Sequence, residues 1–257
     1  MQPVVFLRTA LRGTFVTLHL LLGVSVASAL RVRHGRHWHL SDTGQGMIRW
    51  WMQNVTRCLG IRIAQYGQPA GRQVLLTANH VSFLDIIVIS SIMPVRFLAK
   101  DTLRYWPIVG YLSMLSGTLF IKRGRRSLLA RTIENLRHAL HLERPVAVFP
   151  EGTTSLGNSV MKFHPGLYQA AIDSNAPVQA IALRYVRNGQ SDRIAAYIGK
   201  DNFIMTLLRV INQPATHVHL TFCEPVTSQD KTRQQLALHT HAQVSRVIEQ
   251  GSVVPLH

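Results

Sequence analysis

Acidic side chains are scarce in this chain: 12 Asp and Glu stand against 28 Lys and Arg in 257 residues, a formal charge of +16. So basic a balance selects a negative partner: nucleic acid, an anionic lipid surface or a phosphorylated substrate. Charge of both signs together is only 16%, below the roughly 25% of ordinary domains. With 47% apolar residues, that excludes a disordered chain. Cysteine is nearly absent. Cys58 and Cys223 can build neither a disulfide framework nor a multi-cysteine zinc site, so a reducing compartment is the default. Aromatics are 7%, and no zinc-finger, basic-zipper or RNA-recognition signature accompanies the positive charge. Residues 73–250 contain no internal repeat, low-complexity tract or linker.

What is present begins with an apolar segment. Gly13–Leu30 holds no Asp, Glu, Lys or Arg, and His19 is its one titratable group. That length lies at the lower edge of what spans a bilayer. Ala27-Ser28-Ala29 resembles a signal-peptide cleavage site. Arg31, Arg33 and Arg36 follow at once, however, and positive charge just past an apolar segment holds that end in the cytoplasm. The expectation is a membrane anchor, spanning or lying in one leaflet. The basic surface would add anionic membrane lipids as partners, and the chain after the anchor would face the cytoplasm.

The rest reads as alternating elements. Ser41 or Asp42 caps a helix from about Gly44 to Leu59, with Met47, Trp51, Val55 and Cys58 on one face. Strands are expected at Ile61–Tyr66, within Gln73–Ala78, and at Arg96–Ala99, Thr118–Lys122, Val146–Phe149, Val178–Tyr185, Ile194–Ile198 and Val218–Phe222. Helices are expected at Phe83–Ile92, Ser127–Leu142, Gly166–Ser174 and Ser228–Gln250, with a short one after Trp106. This alternation predicts an α/β fold with a mixed, largely parallel sheet flanked by helices. The expected division is 1–60, anchor and amphipathic helix, and 61–257, the α/β domain. In such sheets chemistry gathers where strands end and helices begin.

Several junctions carry reactive side chains. In Asn79-His80-Val81-Ser82-Phe83-Leu84-Asp85 a strand delivers His80 to a loop, and Asp85 falls in the first turn of the next helix. An Asp so placed can hold one imidazole nitrogen and leave the other free to take a proton. Alone the pattern is weak, because an Asp beside a helix N-terminus is also simply favourable there. Phe149-Pro150-Glu151-Gly152-Thr153-Thr154-Ser155 sets a carboxylate on a sharp turn after a buried strand, although Pro and Gly also punctuate plain turns. Gly117–Ile121 runs into Lys122-Arg123, cations suited to phosphate or to simple solvation. Lys100 closes the strand at Arg96–Ala99. The scattered His residues lack metal-ligand spacing.

In this order and spacing, the segments from about 73 to 185 resemble the glycerophospholipid acyltransferases, in particular bacterial 1-acylglycerol-3-phosphate acyltransferases. Asn79–Asp85 matches the family's His-x4-Asp block, Gly117–Arg123 its second block, Phe149–Ser155 its Phe-Pro-Glu-Gly-Thr block and Pro177–Leu183 its apolar block. The resemblance implies acyl transfer from a thioester, acyl-CoA or acyl-carrier protein, to the hydroxyl of a lysolipid acceptor, with no further cofactor and no metal. It implies His80 and Asp85 as catalytic residues, and Lys100, Lys122, Arg123, Glu151, Gly152, Thr153 and Thr154 at the substrate. The leading acceptor is lysophosphatidic acid. One departure stands against it: the third block usually reads Glu-Gly-Thr-Arg, and here Thr154 replaces the Arg. A hydroxyl cannot replace a bidentate guanidinium on phosphate, which moves weight toward related enzymes that acylate lyso-ornithine lipid. The rivals from other classes are a nucleic-acid-binding module and a non-catalytic basic peripheral membrane protein.

Overall fold

The computed structural model describes residues 3–35, 39, 41–121, 126–199 and 201–250. Helix α1 (Pro3–His34) is followed by α2 (Asp42–Leu59) and strand β1 (Ile61–Tyr66). The α/β core continues as β2 (Leu75–Ala78), α3 (Leu84–Ile92), β3 (Arg96–Lys100), α4 (Val109–Leu115), β4 (Leu119–Ile121), α5 (Arg126–His141) and β5 (Val146–Val148). It closes with α6 (Gln169–Asp173), β6 (Val178–Arg187), β7 (Gln190–Ser191), α7 (Phe203–Ile211), β8 (Thr216–Phe222) and α8 (Arg233–Gln250). Among the described residues eight strands form one sheet in the order β1-β8-β6-β2-β5-β3-β4, with β7 added to β6. β6, β2, β5, β3 and β4 are mutually parallel, β8 is antiparallel to β6, and β1 is parallel to β8.

The central strands are apolar on both faces because helices cover both. Successive residues alternate between two cores: Leu75, Val146, Val148, Val178 and Ala180 face the layer of α5, α6 and α8. Leu76, Ala147, Ile181, Leu183 and Tyr185 face the layer of α2, α3 and α7. Val16 of α1 and Val55 and Leu59 of α2 join this second core, so the N-terminal helices share a hydrophobic interior with the sheet.

α1 is fastened along its length. Arg12 donates to the carbonyls of Ile211 (3.2 Å), Gln213 (2.6 Å) and Pro214 (2.9 Å), at the C-terminal end of α7. Arg8 and Thr9 bond to Asn212. A guanidinium on the unpaired carbonyls of a helix end satisfies them and opposes the helix dipole. Farther along, Gly23 lies against the Trp51 ring, where a Cβ would come within 2.7 Å of it. Ser28 Oγ meets the Tyr111 hydroxyl at 3.0 Å. The opposite stripe, with Leu11, Phe15, Leu18 and Leu22, is exposed.

The structure corrects some sequence expectations. Ile194–Ile198 is not a strand. Asp192 caps a 3₁₀ turn at Arg193–Ala195 by accepting from the Ile194 amide at 3.0 Å, and the amides of Tyr197 and Ile198 go to Val81 O and Asp201 Oδ2. No ladder partner remains for the segment. Helix α7 was not expected. Asn202 caps it through the Ile204 amide at 2.8 Å, and Phe203, Leu207, Val210 and Ile211 then supply a helical apolar face. The closing helix begins at Arg233 rather than Ser228.

Arg12→Met keeps the aliphatic stem and unmakes three charge-assisted bonds. We expect a loss of about 1–3 kcal/mol in unfolding free energy in detergent solution. An unchanged thermal midpoint would show that these bonds do not hold α1 to the domain.

Candidate active site

The parallel strands β2, β5, β3 and β4 bring their C-terminal ends to one edge of the sheet. His80 follows β2, Glu151 follows β5 and Lys100 closes β3, so three segments separate in sequence meet there. Lys122 and Arg123 follow β4 in the chain but lie outside the described residues.

β2 ends on a side-chain continuation of its ladder. The buried Asn79 amide donates to Leu183 O at 2.9 Å and its Oδ1 accepts from Leu183 N at 2.8 Å, as a strand residue would. The chain then turns, and the His80 peptide is gripped on both sides by the 149–155 turn. Its N–H donates to Glu151 Oε1 at 3.0 Å, and its carbonyl accepts from the Ser155 amide at 2.8 Å and hydroxyl at 3.3 Å. Gly152, at φ 73°, closes the Phe149–Gly152 turn, its N–H donating to the Phe149 carbonyl at 3.0 Å. That positive φ favours glycine.

The His80 imidazole stacks on Phe149, ring centroids 3.9 Å apart and 14° from parallel. Its Nδ1 lies 2.8 Å from Asp85 Oδ2. The same oxygen accepts from the amides of Val81 (2.7 Å) and Ser82 (3.0 Å), and Asp85 Oδ1 accepts from the Tyr185 hydroxyl at 2.7 Å. Asp85 has no solvent exposure, whereas the His80 side chain is 19% exposed. A carboxylate that accepts from four donors fixes Nδ1 as the protonated nitrogen. Nε2 has no protein partner among the described residues, an arrangement in which it can accept a proton. Asp85 stands in the first turn of α3 and ties back the loop that leads into the helix, through the amides of Val81 and Ser82.

Glu151 is 3% exposed, and its carboxyl is pushed up to about 7. Burial is the main cause. The His80 and Met161 amides oppose it and the Asp85 charge adds to it. Among the described residues Oε2 has no partner of full hydrogen-bond geometry. Thr153 and Lys100 are exposed. Thr154 does not stand free: its hydroxyl donates to the Tyr197 carbonyl. Among the described residues no three His, Cys, Asp or Glu side chains gather as a metal-holding set.

An apolar cavity of about 310 Å³ lies between α1, α2, α3, α4 and α7, walled by Val16, Trp51, Phe83, Phe97, Trp106 and Phe203 among others. Phe97 stacks on Phe149 at 6.1 Å, so the wall of the cavity reaches the His80 ring through one aromatic side chain. Sequence reasoning had no signal for this cavity or for Tyr185, because their members come from distant segments. Asn79 and Phe149 were visible as motif neighbours, but not in these roles.

Comparison with known proteins supplies the family. A family model described as Acyltransferase matches residues 61–184. A lyso-ornithine lipid O-acyltransferase of Pseudomonas aeruginosa is 35% identical over 212 residues, covering 82% of this chain and 81% of that protein. The chain belongs to the Acyltransferase family. A 1-acyl-sn-glycerol-3-phosphate acyltransferase of Neisseria gonorrhoeae is 41% identical over 128 residues, 47% of this chain and 49% of that one. The solved structure of the 1-acyl-sn-glycerophosphate acyltransferase of Thermotoga maritima superposes with a TM-score of 0.68 at 20% identity, covering 95% of both chains. It shares the fold of this acyltransferase, a mostly parallel mixed sheet with flanking helices and an N-terminal apolar helix.

The raised Glu151 carboxyl makes a pH prediction. A carboxyl raised by folding favours the folded state fully below its unfolded value, about 4.5, and that contribution is lost as pH rises through about 7. Glu151→Gln cannot ionise. It should therefore match the wild type at pH 4.5 and exceed it by about 1–3 kcal/mol at pH 8.5, read by denaturant unfolding at the two pH values. Equal stability at both would contradict the account of Glu151.

Proposed function

We propose that this acyltransferase moves a fatty acyl group from a thioester, acyl-CoA or acyl-carrier protein, to the hydroxyl of lyso-ornithine lipid, with His80 as general base. Nε2 takes the hydroxyl proton while the oxygen attacks the thioester carbonyl. The C–S bond breaks, and the proton passes from the imidazolium to the departing thiolate. Asp85 holds the ring and balances the imidazolium charge. Base catalysis of this kind is worth about 10²–10⁴-fold, and alignment of two bound substrates supplies much of the rest. The apolar cavity beside Phe149 suits an acyl chain, and its volume falls within the usual range of ligand pockets, about 300–1,000 Å³.

One observation carries the acceptor: Thr154. The resemblance places a phosphate-holding Arg at that position, and here its hydroxyl is committed to the Tyr197 carbonyl. The turn offers no guanidinium, and a turn without that fork suits an acceptor that carries no phosphate, such as an acylated ornithine. The P. aeruginosa relative, matched over four-fifths of both chains, supports the same reading. Lysophosphatidic acid is the second reading. It is favoured by Lys100 at the same sheet edge, with Lys122 and Arg123 after β4, and by the N. gonorrhoeae relative.

α1 is long and apolar enough to cross a membrane, yet it bonds to the domain from Arg8 to Ser28. A helix tied down over that length cannot leave the domain to span a bilayer. The reading is therefore a helix lying in one leaflet of the cytoplasmic membrane, its exposed Leu11–Leu22 stripe in lipid and the basic surface on anionic head groups.

The test is a panel of lysolipids offered to the purified enzyme with labelled acyl-CoA. Lyso-ornithine lipid should be acylated at least about tenfold more efficiently than lysophosphatidic acid, and His80→Ala should lose at least about 10²-fold. Thr154→Arg should move the preference toward lysophosphatidic acid, because it returns a phosphate-binding fork. A wild type that prefers lysophosphatidic acid overturns the acceptor. Near-normal turnover by His80→Ala overturns the mechanism.

A further inference from the structure

Tyr185 sits on β6, a hundred residues from the His80–Asp85 pair, and its side chain is 2% exposed. It faces the core that α3 closes, together with Ile181 and Leu183 of the same strand face. Two residues before it, Leu183 is locked to the Asn79 side chain by two hydrogen bonds. The strand that holds the root of the His80 loop therefore also aims the Tyr185 hydroxyl, which reaches Asp85 Oδ1 at 2.7 Å.

The two oxygens of Asp85 are treated differently. Oδ2 accepts from His80 Nδ1 and from two backbone amides. Among the described residues Oδ1 has one donor, Tyr185. Without it, Oδ1 would face a dry interior with nothing to hold it, and a buried unpaired carboxylate oxygen draws toward any donor in reach. We propose that Tyr185 is a positioning residue for acyl transfer: its hydroxyl pins Asp85 Oδ1 and so keeps Oδ2 in line with His80 Nδ1. The proposal rests on His80 acting as the base.

Tyr185 is suited to this as a permanent donor. Burial, then the Asp85 charge and the bond to it, push the phenol well above its ordinary value, so it keeps its proton wherever the enzyme works. Donation to Oδ1 also spreads the carboxylate charge and moderates its pull on the imidazolium. The titratable neighbours are few. Glu151 approaches from the turn after β5 and titrates at about 7. His217 and His219 of β8 pair with Val186 and Arg184, whose side chains alternate to the sheet face away from Tyr185. Arg187 is engaged with Asp192 at 2.9 Å.

The test compares the wild type with Tyr185→Phe on whichever of lyso-ornithine lipid or lysophosphatidic acid the wild type acylates. Loss of a hydrogen bond to a charged group should lower kcat by about ten- to a hundred-fold and leave KM for both substrates within about twofold. The carboxylate, freed of one donor, carries more of its charge beside the imidazolium and stabilises it more, even though the ring is no longer held in line for catalysis. The base then stays protonated to higher pH, and the acid limb of kcat/KM should move up by about 0.5–1 pH unit. A merely structural tyrosine would lower the thermal midpoint without moving that limb. If Tyr185→Phe does not fold, replacing Tyr185 with 3-fluorotyrosine keeps the shape and strengthens the donor, and the acid limb should move down. An unmoved limb in the folded variant, or a kcat equal to that of the wild type, overturns the proposal. A wild type that acylates neither lipid refutes the proposed function instead.

Discussion

Asp85 is a carboxylate with no access to water, and taking such a charge out of solvent costs several kcal/mol unless donors replace the lost hydration. Four donors replace it here, from His80, Val81, Ser82 and Tyr185. The donors come from two places the fold must specify, the loop after β2 and the C-terminal part of β6, and the acceptor from the first turn of α3. The imidazole is oriented because the carboxylate is satisfied, and the carboxylate is satisfied only when sheet and helix are both in register.

The same economy governs the surrounding loops. The His80 peptide is clasped by Glu151 and Ser155, Val81 O receives the Tyr197 amide, and Thr154 bonds the Tyr197 carbonyl. Three loops at one edge of the sheet are thus tied to one another through main-chain groups that would otherwise be unpaired. The clasp requires Glu151 to be buried, and burial raises its carboxyl. The proximity that fixes His80 therefore also lodges a hard-to-ionise acid beside it. On the other side of Phe149 the environment is wholly different, an apolar cavity roofed by α1, α2 and α7. His80 Nε2 sits at the junction of a polar edge and an apolar chamber, an arrangement that suits the hydroxyl and the chains of a lipid under the proposed function.

Much of this was legible in the sequence because the relevant signals are local. The alternation of short apolar runs with helical periodicity gave the α/β class, and the His80–Asp85 spacing placed an acid one turn into a helix. The apolar Gly13–Leu30 segment was legible as part of a helix long and apolar enough to cross a membrane, but that Arg8 and Arg12 would bind it to the end of α7 was not. Ile194–Ile198 misled because its composition suits a strand, while Asp192 and Val81 claim its amides. The Tyr185 contact spans a hundred residues and the cavity gathers five helices from separate segments, pairings for which one sequence carries no local trace. The commitment of Thr154 to Tyr197 was hidden for the same reason: the residue type was visible, its partner was not.

The central claim is that His80, held by Asp85, activates the acceptor hydroxyl for direct attack on the thioester. Rapid-quench single turnover with acyl-labelled acyl-CoA tests it most directly, with the protein and lipid fractions separated at each time point. The account predicts that label passes from thioester to diacylated lipid with no transient acyl-protein, and that no label moves when acceptor is withheld. A labelled protein species that forms and decays at the rate of product formation would contradict it.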